Sequence, residues 1–121
     1  MLQEHINLLK KDLSSRIPYG LKVQIEHNWF DEERTTITTM RGVVGNFVVY
    51  DSFTGEEETS ITKVTPYLRP LSSMTEEEKK ELLKCTGSTI DTVIDFYNSK
   101  HFDYRGLISK GLAIEAQENT Y

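Results

Sequence analysis

The sequence predicts an α+β fold: an N-terminal helix, a three- or four-stranded antiparallel meander sheet, and C-terminal helices packed on one face. Three observations predict it. Apolar residues recur at helical spacing over the first thirteen positions, alternate with polar ones between residues 21 and 61, and return to helical spacing after residue 75. The connectors between the alternating runs are short, which favours strands that turn back on their neighbours.

The first helix is expected from about Leu2 to Leu13, with Leu2, Ile6, Leu9 and Leu13 on one face and Leu8 widening the stripe. Ser14, Ser15 and the Pro18-Tyr19-Gly20 sequence end it. Leu21, Val23 and Ile25 alternate as a half-buried strand, and Asp31-Glu32-Glu33 reads as the turn out of it. The β-branched run 35–41 forms the second strand, with Ile37 and Met40 read as inward. Gly42 and Gly45 bracket a bulge or tight bend. Residues 46–50 form a third strand, 51–55 turn, and a short fourth strand falls near 57–61.

Pro66 and Pro70 fix an extended connector. Thr75 then opens a helix as N-cap, with Glu78 completing a capping box and Glu76, Glu77 and Glu78 complementing the helix dipole. That helix runs to about Cys85 and stops at Thr86-Gly87. Ser88 caps another, with Ile90, Val93, Ile94 and Tyr97 on its apolar face. A further helical turn is expected from Asp103, burying Leu107 and Ile108 and ending at Gly111. The chain thus reads as one domain, 1–121: helix plus β-meander over 1–65, connector over 66–75, helical part over 76–116, and a frayed tail over 117–121. The first helix and the one over 89–99 are the expected cover of the sheet.

A chain of 121 residues can bury a core without disulfides, and 37% hydrophobic with 27% charged residues is ordinary globular composition. The lone Cys85 fits a reducing compartment and excludes a zinc site built on several thiolates. The N-terminus is too polar for a signal peptide, and no run approaches the roughly 20 apolar residues of a spanning helix. A cytoplasmic location without membrane association follows as the expectation. The net charge of −5 disfavours nucleic-acid binding. Residues 31–65 hold seven acidic against three basic side chains, which reads first as solvated turns and second as a surface for a basic partner.

Neither a phosphate loop, nor a His-Glu-x-x-His helix, nor a nucleophile elbow is present. Histidines 5, 27 and 101 are scattered, so no metal or cofactor is expected, and no catalytic residue is assigned. Two polar groups carry what chemistry there is. In His101-Phe102-Asp103-Tyr104-Arg105-Gly106, Asp103 could orient His101 as a base while Arg105 holds an anion. The structural reading has Asp103 as a cap, the aromatic rings packed, and Arg105 paired with an acidic neighbour. Arg69, beside Tyr67 in the extended segment, is placed either to present a bidentate donor or to bridge the sheet to a helix through a carboxylate such as Glu81 or Asp95. Trp29 and Phe30 cannot both face inward on a continuous strand, so one could anchor a partner or a homodimer contact. Arg69, Tyr67, His101, Asp103, Arg105 and Trp29 form the candidate interaction surface.

The strings Pro66-Tyr67-Leu68-Arg69-Pro70-Leu71-Ser72-Ser73-Met74-Thr75-Glu76-Glu77-Glu78 and His101-Phe102-Asp103-Tyr104-Arg105-Gly106-Leu107-Ile108 resemble two hallmark strings of small uncharacterised proteins from gut Bacteroidetes genomes and their prophages. The resemblance covers about residues 60–116. It implies a bacterial or phage cytoplasmic protein of mobile DNA, with no catalytic residues to carry over. The function expected is a non-enzymatic interaction module binding a host or phage protein through the Arg69 connector or the acidic turns. The alternatives are a small-ligand binder or small enzyme using His101, Asp103 and Arg105, and a nucleic-acid-binding accessory protein whose exposed aromatic residues stack bases.

Overall fold

The computed structural model describes residues 2–29, 32–85 and 89–121. Helix α1 spans Gln3–Ser15, followed by a 3₁₀ turn at Ile17–Tyr19. Strands β1 (Lys22–Trp29), β2 (Glu32–Val44), β3 (Phe47–Ser52), β4 (Gly55–Ser60) and β5 (Val64–Leu68) come next. Helices α2 (Glu76–Lys84) and α3 (Ile90–Ser99) precede the two-residue β6 (Ile114–Glu115). The strands form one six-stranded sheet in the order β4-β3-β2-β1-β5-β6, with β5 and β6 parallel and the other pairs antiparallel. The fold is α+β with an N-terminal helix as expected, but the sheet is larger than the three or four strands expected and is mixed.

Of the two added strands, β5 runs into the segment read as a connector and β6 falls within the part read as helical. Val64, Pro66 and Leu68 are buried and alternate with half-buried Thr65 and Tyr67, a regular strand pattern. Proline is tolerated because β6 reaches only Tyr67 and Leu68, so no partner asks Pro66 for a donor on that side. At the hairpin, β1 and β2 pair down to Trp29 opposite Glu32, so Glu32 and Glu33 belong to β2 and not to a turn. The rest of that expected turn, and the side chains of Trp29 and Phe30, lie outside the described residues, as do the stop at Thr86-Gly87 and the cap at Ser88.

The sheet is strongly curled. In a flat sheet β4 and β5 would stand four strand spacings apart, roughly 19 Å. Only Ile61–Lys63, a 3₁₀ turn, joins them, and four extended residues reach about 14 Å at most. The bend is taken by the thirteen-residue β2, whose register shifts between Met40 and Gly42. The turn at Gly45 (φ +58) supplies the positive φ that a tight hairpin needs.

Inside the curl lie Val23, Ile25, Met40, Val48, Tyr50, Ile61, Val64 and Leu68, closed by Leu9 and Leu13 of α1 and by Leu107 and Leu112. Met40 is inward but Ile37 is not: it is 63% exposed, because positions 37 and 40 have opposite parity on a strand. No residue of α2 or α3 joins this cluster among the described residues. The buried Phe96 of α3 stacks instead on Phe102, with ring centroids 6.3 Å apart. Cover therefore comes from α1 and the 107–113 loop, not from the 89–99 helix. The further helix expected after Asp103 is a run of turns.

Candidate functional site

The backbone around Arg69 meets the 101–103 segment where the chain leaves β5. Arg69 N–H donates to the His101 carbonyl (2.8 Å), and Asp103 N–H to the Arg69 carbonyl (2.8 Å), so a backbone bridge ties segments 66–78 and 101–108 together. The Arg69 guanidinium makes a bidentate pair with Glu78 (2.8 and 2.7 Å), reaches the Ser73 carbonyl (3.2 Å) and lies 4.3 Å over the Phe102 ring. The helix bridge expected of Arg69 thus runs to Glu78, not to Glu81 or Asp95. Glu78 also closes the capping box: Thr75 N–H donates to its carboxylate (3.0 Å) and Glu78 N–H to the Thr75 hydroxyl (3.2 Å). The Arg69 hydrogen bonds, outweighing burial, hold the Glu78 carboxyl down at about 2.

His101, Asp103 and Arg105 are engaged in three different places. Both Asp103 oxygens accept backbone N–H groups, from Leu107 (2.8 Å) and Ile108 (2.9 Å). Arg105 donates to Asp12 (2.8 Å) and the Ser15 hydroxyl (3.2 Å). Asp12 is fully buried and also receives Arg16 Nε and Nη2 (2.9 and 3.1 Å). Arg16, equally buried, donates to the Phe102 carbonyl (2.6 Å) and anchors the end of α1 to this loop. Tyr104 lies beneath both guanidinium groups and donates to Asn98 (2.9 Å).

The His101 ring lies against Tyr121, with centroids 3.7 Å apart and planes within 12°. Its backbone holds φ +64, a conformation few non-glycine residues adopt. Burial, with Arg16, Arg69 and Lys22 nearby, pushes the imidazole down to about 4, so it is neutral at pH 7. His101 Nδ1 and Arg16 Nη1 are buried without a hydrogen-bond partner among the described residues. The Tyr121 hydroxyl accepts from Lys22 N–H (3.0 Å) and donates to the Tyr67 carbonyl (2.7 Å). Residues 117–121, read from the sequence as a frayed tail, are placed by these bonds and by the Lys22 ammonium on the Thr120 carbonyl. Tyr67 contributes that carbonyl, while its hydroxyl donates to Gln24 (3.2 Å).

Sequence reasoning missed Asp12, Arg16, Lys22 and Tyr121. Asp12 and Arg16 do stand at the i,i+4 spacing of a helical ion pair, but their other partners, and those of Lys22 and Tyr121, are 54 to 99 positions away, where no local pattern announces them.

A second feature is a cleft beside β2 and β3. Phe53, at the β3–β4 turn, is fully exposed. With Ile37, Thr36, Tyr50 and Glu57 it lines a cleft of about 480 Å³. The Tyr50 hydroxyl donates to Glu57 (3.2 Å); burial first, and this hydrogen bond second, raise the phenol, and Arg41 pairs with Asp51 (2.6 Å) at the rim. Among the described residues no group of three or more His, Cys, Asp or Glu side chains is placed to hold a metal, and no helix is long and apolar enough to cross a membrane. No family model, curated protein or solved structure matches this chain.

Proposed function

We propose that this chain is a non-enzymatic protein-interaction module, cytoplasmic and of phage or mobile-element origin, binding a host or phage protein. The observation that carries the reading is the fully exposed Phe53 beside the 63% exposed Ile37 over one cleft. Large apolar groups left in water on a turn and an adjoining strand offer a partner anchor points. Glu56, Glu57 and Glu58 follow in β4 and give the anchor an acidic rim, which suits a basic partner. The acidic-turn form of the hypothesis is therefore preferred to the Arg69 form, since Arg69 is occupied by Glu78. The alternative built on His101, Asp103 and Arg105 has less support, because those side chains do not converge on one point.

Affinity capture from native-host lysate, wild type beside Phe53→Ser, tests the reading. The expected result is a stoichiometric protein lost with the variant, whose folding an exposed-site change leaves intact. A folded wild type that retains nothing, or retains the same protein equally in both, refutes it.

A further inference from the structure

The ladder between β1 and β5 ends one rung early, and a side chain fills the missing rung. The paired positions are Ile25–Val64, Gln24–Thr65 and Val23–Pro66. Pro66 has no N–H, so it cannot stand in a pair that exchanges two hydrogen bonds; Val23–Pro66 is the non-bonded type. Alternation then makes Lys22–Tyr67 the next bonded rung, with Lys22 N–H aimed at the Tyr67 carbonyl. Instead the Tyr121 hydroxyl sits between them, accepting from the first (3.0 Å) and donating to the second (2.7 Å).

A phenol is the side chain that satisfies both groups at once while offering a flat ring. That ring meets the His101 imidazole at 3.7 Å, held neutral and fixed by a positive-φ backbone. The Lys22 ammonium stands 5.7 Å from its centroid, on the face side that attracts cations. Donor, acceptor and stacking platform come from β1, β5 and the loop after α3, whereas the occupant comes from a segment held by few other bonds.

We infer that the fork between β1 and β5, floored by His101, is a tyrosine-reading slot, filled in cis by Tyr121 and open in trans to a tyrosine of an extended partner segment. Ile37 lines both the Phe53 cleft and a pocket with Lys22 and Tyr67, so the two sites adjoin, but the slot does not depend on the reading given for the cleft. A short tether gives the cis ligand an effective concentration on the order of millimolar, so a partner competes only if it binds more tightly or if the tail is drawn off. Withdrawal of Tyr121 frees Lys22 N–H and the Tyr67 carbonyl for another hydroxyl, with water as the interim partner.

The test uses full-length Tyr121→Ala with p-cresol, which is the tyrosine side chain alone, and with toluene, which lacks the hydroxyl. The slot predicts that p-cresol raises the variant's Tm saturably and shifts its His101 ring resonances, with little effect on wild type. Toluene should be at least tenfold weaker. A capped peptide spanning residues 116–121 should bind the variant at least tenfold more tightly than wild type, and lose tenfold when its tyrosine is replaced by phenylalanine. Toluene matching p-cresol, or no response to p-cresol, overturns the slot. A p-cresol response without peptide binding overturns the peptide partner, leaving only a small-phenol site. If Tyr121→Ala does not fold, Tyr121→Phe keeps the ring, and the tyrosine peptide must then displace the hydroxyl-less ring from His101; failure to do so counts as refutation.

Discussion

Replacing Glu78 by glutamine removes one charge at the junction of β5 and α2 while leaving an oxygen for the Thr75 N–H, since glutamine also serves in a capping box. What is lost is the bidentate Arg69 pair. The native carboxyl lies at about 2 against an ordinary 4.5, and at 1.36 kcal/mol per unit that shift corresponds to about 3 kcal/mol. The side chains keep 22% and 11% of their exposure, so some of this is screened, and a loss of about 1.5–3 kcal/mol is expected. Because the folded pKa is depressed, the contribution is complete above about pH 4.5 and disappears as the pH falls toward 2. Urea unfolding of wild type and Glu78→Gln should therefore differ by that amount at pH 7, with the gap closing at low pH. Other carboxylates titrate in both proteins and cancel in the difference. A gap below about 0.5 kcal/mol at pH 7, the range of surface substitutions, would refute the argument. So would a gap that does not change with pH.

His101 should titrate near pH 4 by NMR, and its burden on stability has the same sign: full stability above pH 6.5, lost as the pH falls toward 4; a midpoint above 6 contradicts the burial argument. Asp12→Asn leaves Arg16 and Arg105 without their shared carboxylate, one of them fully buried, and should cost about 3–5 kcal/mol in denaturant unfolding. Leu107→Ala, at a fully buried position of the loop that closes the core, should cost about 2–5 kcal/mol; a surface-like value would mean that the loop does not pack there.

What is legible in the sequence is what short-range physics writes into it. The Thr75–Glu78 capping box needs only residues three apart, and the alternation of Leu21, Val23 and Ile25 is fixed by the period of a strand. The turn at Gly45 follows from glycine's backbone freedom, and the expected irregularity at Gly42 is present as a register shift. The fifth strand is hidden because proline normally argues against a ladder, and here the neighbouring strand is too short to need its donor. Ile37 is misplaced when hydrophobicity outvotes parity: Met40 is inward, so position 37 must face out.

The candidate site is half legible for a related reason. Arg69 does bridge the sheet to a helix, but its partner is not among the helix positions further on. Glu78 already serves the cap, yet a carboxylate has two oxygens and about four lone-pair sites, so capping does not exhaust it. Asp103 likewise keeps spare lone pairs beside its two backbone N–H groups, but the His101 ring is stacked on Tyr121 instead of meeting them. Placement, not acceptor count, therefore separates the two acids. For Tyr121, the hydrogen-bonding inventory of its hydroxyl accounts for how it is held. Its hydroxyl can both accept and donate, and the fork presents one N–H and one carbonyl at the spacing of a missing rung.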